Sequence, residues 1–129
     1  MEGNIYTGIK EYEKADAAYN KALEINPQYD MAFYGLATTI LKRAEDLVDQ
    51  MNALDVREWK KYDEMKLQLD QLYKDALVPF ESCYNSSSIP EVKAAAADFL
   101  KRLNFQLRGE GAEYQAAYDK WSAVVSEAQ

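Results

Sequence analysis

The chain has 129 residues, of which 48% are apolar and 29% charged, and its formal net charge is −7. This size and balance predict one globular domain that folds without a disulfide or a structural metal. Zero histidines and a single cysteine exclude Ser-His and Cys-His catalysis, zinc sites and intrachain disulfides, and we expect no cofactor or metal. The acidic charge disfavours nucleic acid as a partner, and no apolar run is long enough for membrane insertion.

Apolar residues at spacings of three and four predict helices along most of the chain. The first helical pattern runs from Tyr6 to Leu23 and ends before Pro27. Asp30 is placed to cap a second helix, whose apolar line reaches Leu54. A break at 52–56 follows, and Asp55 with Glu58 predicts a capping box for a third, long helix that contains Pro79.

The rest of the chain also reads as helical. Residues 85–88 predict a loop, and Ser88 with Glu91 predicts a second capping box, with Pro90 in the first helical turn. A helix to Leu107, a break at 109–111 and a final helix complete the pattern. The short connection between the second and third helices predicts an antiparallel hairpin. We therefore predict an all-α fold of five or six helices with no strand.

A spaced motif of small and aromatic residues occurs near the start of the chain. Gly3-x2-Tyr6 is followed by Tyr12-x2-Ala15-x3-Tyr19-x2-Ala22-x4-Pro27. This string resembles the tetratricopeptide repeat, in which small residues let two helices approach closely and a proline ends the second helix. The opening half returns as Phe33-x2-Leu36-Ala37-x2-Ile40, and the closing half as Ala76-x3-Phe80-x2-Cys83.

The second occurrence is longer than the first. Tyr6 and Ala15 are 9 positions apart, whereas the equivalent Ile40 and Ala76 are 36 apart, so 36 − 9 = 27 extra residues lengthen the second helix pair. The resemblance implies an α-α superhelix of antiparallel helix pairs with one lengthened hairpin. We expect a single domain, 1–129, divided into a partial first repeat, a lengthened second repeat and a C-terminal helix pair, at 1–27, 28–88 and 89–129.

Origin and location are less constrained. The lengthened pair is similar to elongated bacterial members of the family, and the partial first repeat predicts that the chain is the C-terminal part of a longer repeat protein. The start of the chain has no basic residue or apolar run typical of a signal peptide. Cytoplasmic and periplasmic locations both fit.

The resemblance implies a non-enzymatic scaffold for protein–protein interaction, with a peptide or helix bound in the concave groove lined by the first helix of each pair. By the spacing of the motif, six residues of this sequence match groove-facing positions of the family: Asn4, Thr7, Tyr34, Thr38, Leu41 and Lys42. Asn4 and Lys42 are too few for a carboxylate clamp. An ordinary solvated helix face is the alternative interpretation of each position.

Two other functions fit the residues. The long hairpin, residues 30–86, has apolar spacing that also suits a coiled coil, so self-association through it is one alternative. The other is an enzyme that uses carboxylates alone, from groups such as Glu45, Asp46 and Asp49. Cys83 occupies a small-residue packing position and is predicted to be a buried, inert thiol.

Overall fold

The computed structural model describes residues 2–127, and it describes side chains from residue 11 onward. No strand occurs within these residues, which confirms the all-α prediction. The helices are α1 (Glu2–Ile25), α2 (Asp30–Asn52), α3 (Trp59–Ser86), α4 (Pro90–Leu107) and α5 (Ala112–Glu127). Single 3-10 turns, Val56–Glu58 and Arg108–Glu110, connect α2 to α3 and α4 to α5.

The turn between α2 and α3 is the predicted capping box. The Asp55 Oδ1 accepts a hydrogen bond from the Arg57 N–H at 3.0 Å, and the Glu58 Oε2 accepts one from the Asp55 N–H at 3.3 Å. These bonds satisfy backbone donors that the start of a helix leaves unpaired. The chain therefore reverses within a few residues and α3 packs back along α2.

The turn between α3 and α4 differs from the prediction in two respects. α3 continues to Ser86, so the loop contains only residues 87–89. The predicted Ser88–Glu91 capping box is wrong: Ile89 precedes α4, and its side chain makes no cap. The buried Ser87 Oγ instead accepts a hydrogen bond from the Ile89 N–H at 3.1 Å. Because α3 ends later than predicted, Ser87 and not Ser88 occupies the turn position whose hydroxyl bonds the backbone. Pro90 starts α4, as expected.

α1 is continuous from Glu2 to Ile25. The helical pattern from Tyr6 to Leu23 predicted one helix here, although the two halves of the repeat motif meet between Tyr6 and Tyr12. The residues at that point, from Ile9 to Lys14, include no glycine or proline, and several of them are good helix formers. Asp30 is the first residue of α2 and not the residue before it, and its carboxylate accepts a hydrogen bond from the Met31 N–H at 2.8 Å.

The main core lies where α2, α3, α4 and α5 meet. Ala37 on α2, Ala76 on α3 and Ala96 on α4 have no exposed surface, and Phe80, Cys83 and Leu100 fill the space between these helices. Phe80 stacks on Phe99 with ring centroids 4.7 Å apart. Small residues allow the helices to approach closely while large ones fill the remaining holes, as interior packing density requires.

A second cluster lies farther along the α2–α3 hairpin. Its buried members are Ala44, Leu47, Met51 and Leu69, and its half-buried members are Val48, Met65, Leu72 and Tyr73. Every one of them belongs to α2 or α3. The outer part of the hairpin is therefore an arm of two helices whose core comes from those two helices.

α1 packs on the opposite side of α2 from this core. The ring of Tyr19 lies against Gly35, where a Cβ would overlap it. Arg43 forms a 2.7 Å ion pair with Asp16, and the Tyr12 hydroxyl donates a hydrogen bond to Asp46 Oδ2 at 2.8 Å. Burial and this hydrogen bond raise the pKa of Tyr12 to about 12, so the phenol remains a donor at neutral pH.

The alanine contacts generate a stability prediction with a control in the same helix. Ala96 is fully buried, whereas Ala94 is exposed. We expect Ala96→Leu to overpack the contact between α3 and α4 and to lower the free energy of unfolding by about 1–3 kcal/mol. Ala94→Leu should change it by less than about 0.5 kcal/mol. Urea denaturation of both variants measures the difference, and equal effects would contradict this packing.

Gly35 provides a second stability test, in the form of a double-mutant cycle. Gly35→Ala should lower the free energy of unfolding by about 1–3 kcal/mol, because the new methyl group collides with the Tyr19 ring. In a Tyr19→Ala background the collision is absent, and Gly35→Ala should stabilise the helix by about 0.5–1 kcal/mol. Thermal denaturation of the four proteins measures the coupling. The same sign in both backgrounds would show that the ring does not set the effect.

Candidate peptide-binding face

One side of α2 carries the described part of the predicted groove. Tyr34, Thr38, Leu41 and Lys42 recur at spacings of three and four along α2 and lie within one face of the helix. Asn4 and Thr7 lie outside the residues whose side chains the structure describes. The described candidates therefore share a face of a single helix.

These four side chains differ in how far they are available to a partner. Tyr34 is half-buried and meets Phe80 and Phe99 edge-on, with centroids 6.0 and 6.1 Å apart, so its ring belongs partly to the core. The Thr38 hydroxyl donates a hydrogen bond to the Gly35 carbonyl at 3.1 Å. Leu41 is half-buried, and Lys42 is exposed. The face thus has an apolar base with a cation at its edge.

Beyond Leu41 the same face opens into a depression of about 380 Å³ between α2 and α3. Leu41, Ala44 and Val48 contribute apolar surface from α2, and Tyr73 contributes from α3. Exposed Glu45 and Asp49 complete the lining. An apolar floor with two exposed carboxylates at its edge suits an aliphatic group that carries, or lies beside, a positive charge.

Tyr73 and Asp70 define the α3 side of this region. Asp70 is buried, and the Lys66 Nζ donates to both of its carboxylate oxygens at 3.0 Å. Burial raises the pKa of Tyr73, and the Asp70 carboxylate adds to the rise. Asp70 is therefore compensated within the chain, and the phenol of Tyr73 stays neutral. The negative charge offered to a partner comes from Glu45 and Asp49.

The acidic group at 45–49 divides between two sides of α2. Asp46 turns towards α1 and accepts the Tyr12 hydrogen bond, whereas Glu45 and Asp49 line the depression. The lining residues Ala44, Glu45, Val48, Asp49 and Tyr73 were not among the predicted groove positions. Continuing the spacing of 34, 38 and 41 to 45, 48 and 49 could have found the α2 members. Identifying Tyr73 required knowledge of which residues of α3 lie opposite α2 in the hairpin.

The described side chains contain no group of three or more His, Cys, Asp and Glu placed to hold a metal ion. In the part of the chain that the structure describes, no helix is both long enough and apolar enough to cross a membrane. Cys83 has no exposed surface, and burial raises its pKa to about 11. The thiol at this position is thus protonated and sealed from solvent.

The state of Cys83 can be measured directly. At pH 8 we expect a thiol reagent such as dithionitrobenzoate to react with the folded chain at least about a hundredfold more slowly than with the chain unfolded in urea, because burial disfavours the thiolate and blocks access. The absorbance of the thiolate released from the reagent measures the rate of the reaction. Comparable rates in the two states would contradict the burial of this cysteine.

Comparison with known protein families and proteins gives one finding. Residues 3–42 match the family model described as TPR repeat. The matched segment covers most of α1 and the first half of α2, including Tyr34, Thr38, Leu41 and Lys42. None of the curated proteins and none of the solved structures compared with the chain matched it.

Proposed function

We propose, from the match of residues 3–42 to the model described as TPR repeat, that this chain is a tetratricopeptide-repeat scaffold, non-enzymatic, that binds a peptide or helix along the open face of α2. Tetratricopeptide repeats generally mediate protein–protein interactions, which implies a protein partner. That the partner occupies this particular face of α2 is our proposal. Its main support is the depression that continues the face beyond Leu41.

The chemistry of the face suggests what kind of segment binds. Half-buried Tyr34, Leu41 and Val48 present apolar surface on a rigid helix, and Tyr73 adds an aromatic ring from α3. A rigid face loses little conformational freedom on binding, which favours affinity. Glu45 and Asp49 lie at the edge of the same surface. A segment with an aliphatic side chain flanked by lysine or arginine would match both features.

The small size of the depression limits the expected affinity. A volume of 380 Å³ accommodates about one large side chain together with part of its backbone. The remaining contact would come from Thr38 and Lys42, which are more polar and partly or fully exposed. We therefore expect dissociation constants in the micromolar range, as for transient recognition of short segments.

A peptide-binding measurement tests this proposal. The probes are two fluorescein-labelled peptides of about twelve residues, each with a central leucine, flanked by lysines in one and by glutamates in the other. Fluorescence anisotropy should show at least about tenfold tighter binding of the lysine peptide at low salt, and a smaller preference at high salt. Absence of binding by both peptides, or preference for the glutamate peptide, would contradict the proposal.

Charge-reversal variants locate the binding face. Glu45→Lys combined with Asp49→Lys should weaken binding of the lysine peptide by at least about tenfold. Glu64→Lys combined with Glu81→Lys changes the net charge by the same amount, at exposed positions of α3 outside the depression. This control should leave affinity within about twofold of the original. If both pairs weaken binding equally, the peptide responds to net charge and not to this face.

A further inference from the structure

The tip of the α2–α3 hairpin carries apolar side chains that the core does not cover. Val56 is 92% exposed, Trp59 60% and Tyr62 44%. The three residues follow one another at intervals of three, through the 3-10 turn and the first turn of α3. Side chains three apart lie on neighbouring positions of a helical surface. They therefore form a continuous strip, called here the tip strip.

The tip strip continues into the core of the arm. The next apolar residues at helical spacing, Met65 and Leu69, are half-buried and buried against α2. The exposed strip is thus an extension of the packed seam beyond the point where the hairpin covers itself. Exposed apolar surface of this kind is typical of a docking surface.

The charges around the tip strip differ from those of the chain as a whole. Residues 55–66 contain four basic residues (57, 60, 61 and 66) and four acidic residues (55, 58, 63 and 64), so this segment is neutral while the chain carries −7. Two copies of an acidic chain repel each other over most of their surfaces. At the tip the segment is neutral, so this repulsion is reduced where apolar surface is exposed, which favours a second copy of the chain as the occupant.

The order of charges beside the strip is complementary to itself. Lys60 follows Trp59 by one position and Asp63 follows Tyr62 by one position, so both lie on the same flank of the strip. When two identical helices pack antiparallel about a two-fold axis, the same flanks of the two helices meet. Lys60 of each copy then faces Asp63 of the other, and the two ion pairs form symmetrically.

We infer that this protein forms a weak antiparallel dimer through the tip strip, with Val56, Trp59 and Tyr62 at its centre and reciprocal Lys60–Asp63 pairs at its edge. The contact lies at the end of the hairpin and is separate from the peptide-binding face, so neither proposal depends on the other. Three partly exposed side chains bury roughly 300 Å² per copy, about 600 Å² in the pair, which corresponds to a transient association.

Sedimentation velocity of the intact chain, from roughly 10 µM to roughly 1 mM, tests the association. We expect the weight-average mass to rise from 14.8 kDa towards twice that value as concentration increases. Trp59→Ser should weaken the association at least about tenfold. Val78→Ser, which removes another exposed apolar side chain 19 residues farther along α3, should leave it unchanged. A mass of one chain at every concentration, or an equal effect of the two substitutions, would overturn the inference.

Charge reversal tests the antiparallel geometry. Lys60→Glu alone and Asp63→Lys alone should each weaken association at least about fivefold, because each replaces both symmetric attractions with repulsions. An equimolar mixture of the two variants should associate as a heterodimer. Lys61→Glu and Glu64→Lys, which lie one position farther from the strip, are matched controls and should have less than about a twofold effect. Failure of the mixture to recover association, or equal effects of the controls, would overturn the proposed pairing.

Discussion

Three alanines with no exposed surface, one on each of α2, α3 and α4, set the distance at which these helices pack. Ala37, Ala76 and Ala96 allow close approach, and Phe80, Phe99 and Leu100 occupy the space around them. A larger side chain at any of the three would push helices apart along their whole contact. The relative position of α2 and α3, and with it the depression between them, depends on this spacing.

The α2 helix packs against other helices on two sides and leaves a third side open, and its sequence divides accordingly. One side, with Gly35 and Asp46, receives α1, while another, with Ala37 and Ala44, packs into the two clusters that it shares with α3. The side that remains carries Thr38, Lys42, Glu45 and Asp49 over a half-buried apolar base. Packing on the other two sides fixes the position of the helix. The third side is therefore rigid although no other helix covers it, and a rigid surface suits binding.

Much of the fold could be predicted from the sequence because helical periodicity and capping are local properties. The Asp55–Glu58 box, the hairpin and the start of α4 at Pro90 all depend on residues a few positions apart. The Ser88 cap was wrong because the end of α3 is set by packing of Cys83 and Tyr84, which sequence spacing does not show. The continuity of α1 agrees with the unbroken helical spacing from Tyr6 to Leu23.

The candidate site was predictable in part. The four described positions on α2 come from the spacing of the repeat motif, and helical spacing alone places them on one face. Tyr73 and the depression depend on which residues of α3 lie opposite Ala44 and Val48, and this register comes from tertiary packing. The separation of Asp46 from Glu45 and Asp49 likewise required the position of α1. Whether a partner occupies the predicted face stays a prediction.

The way α1 is attached has a consequence for the energy landscape of the molecule. From residue 11 onward, α1 contributes no fully buried side chain, and its contacts with α2 include the Asp16–Arg43 ion pair and the Tyr12–Asp46 hydrogen bond. Ionic strength screens such contacts, whereas it leaves the apolar clusters of the other helices largely unaffected. We therefore expect residues 11–25 to form an opening unit smaller than the whole domain, which detaches and loses hydrogen-exchange protection while the remaining helices stay cooperative.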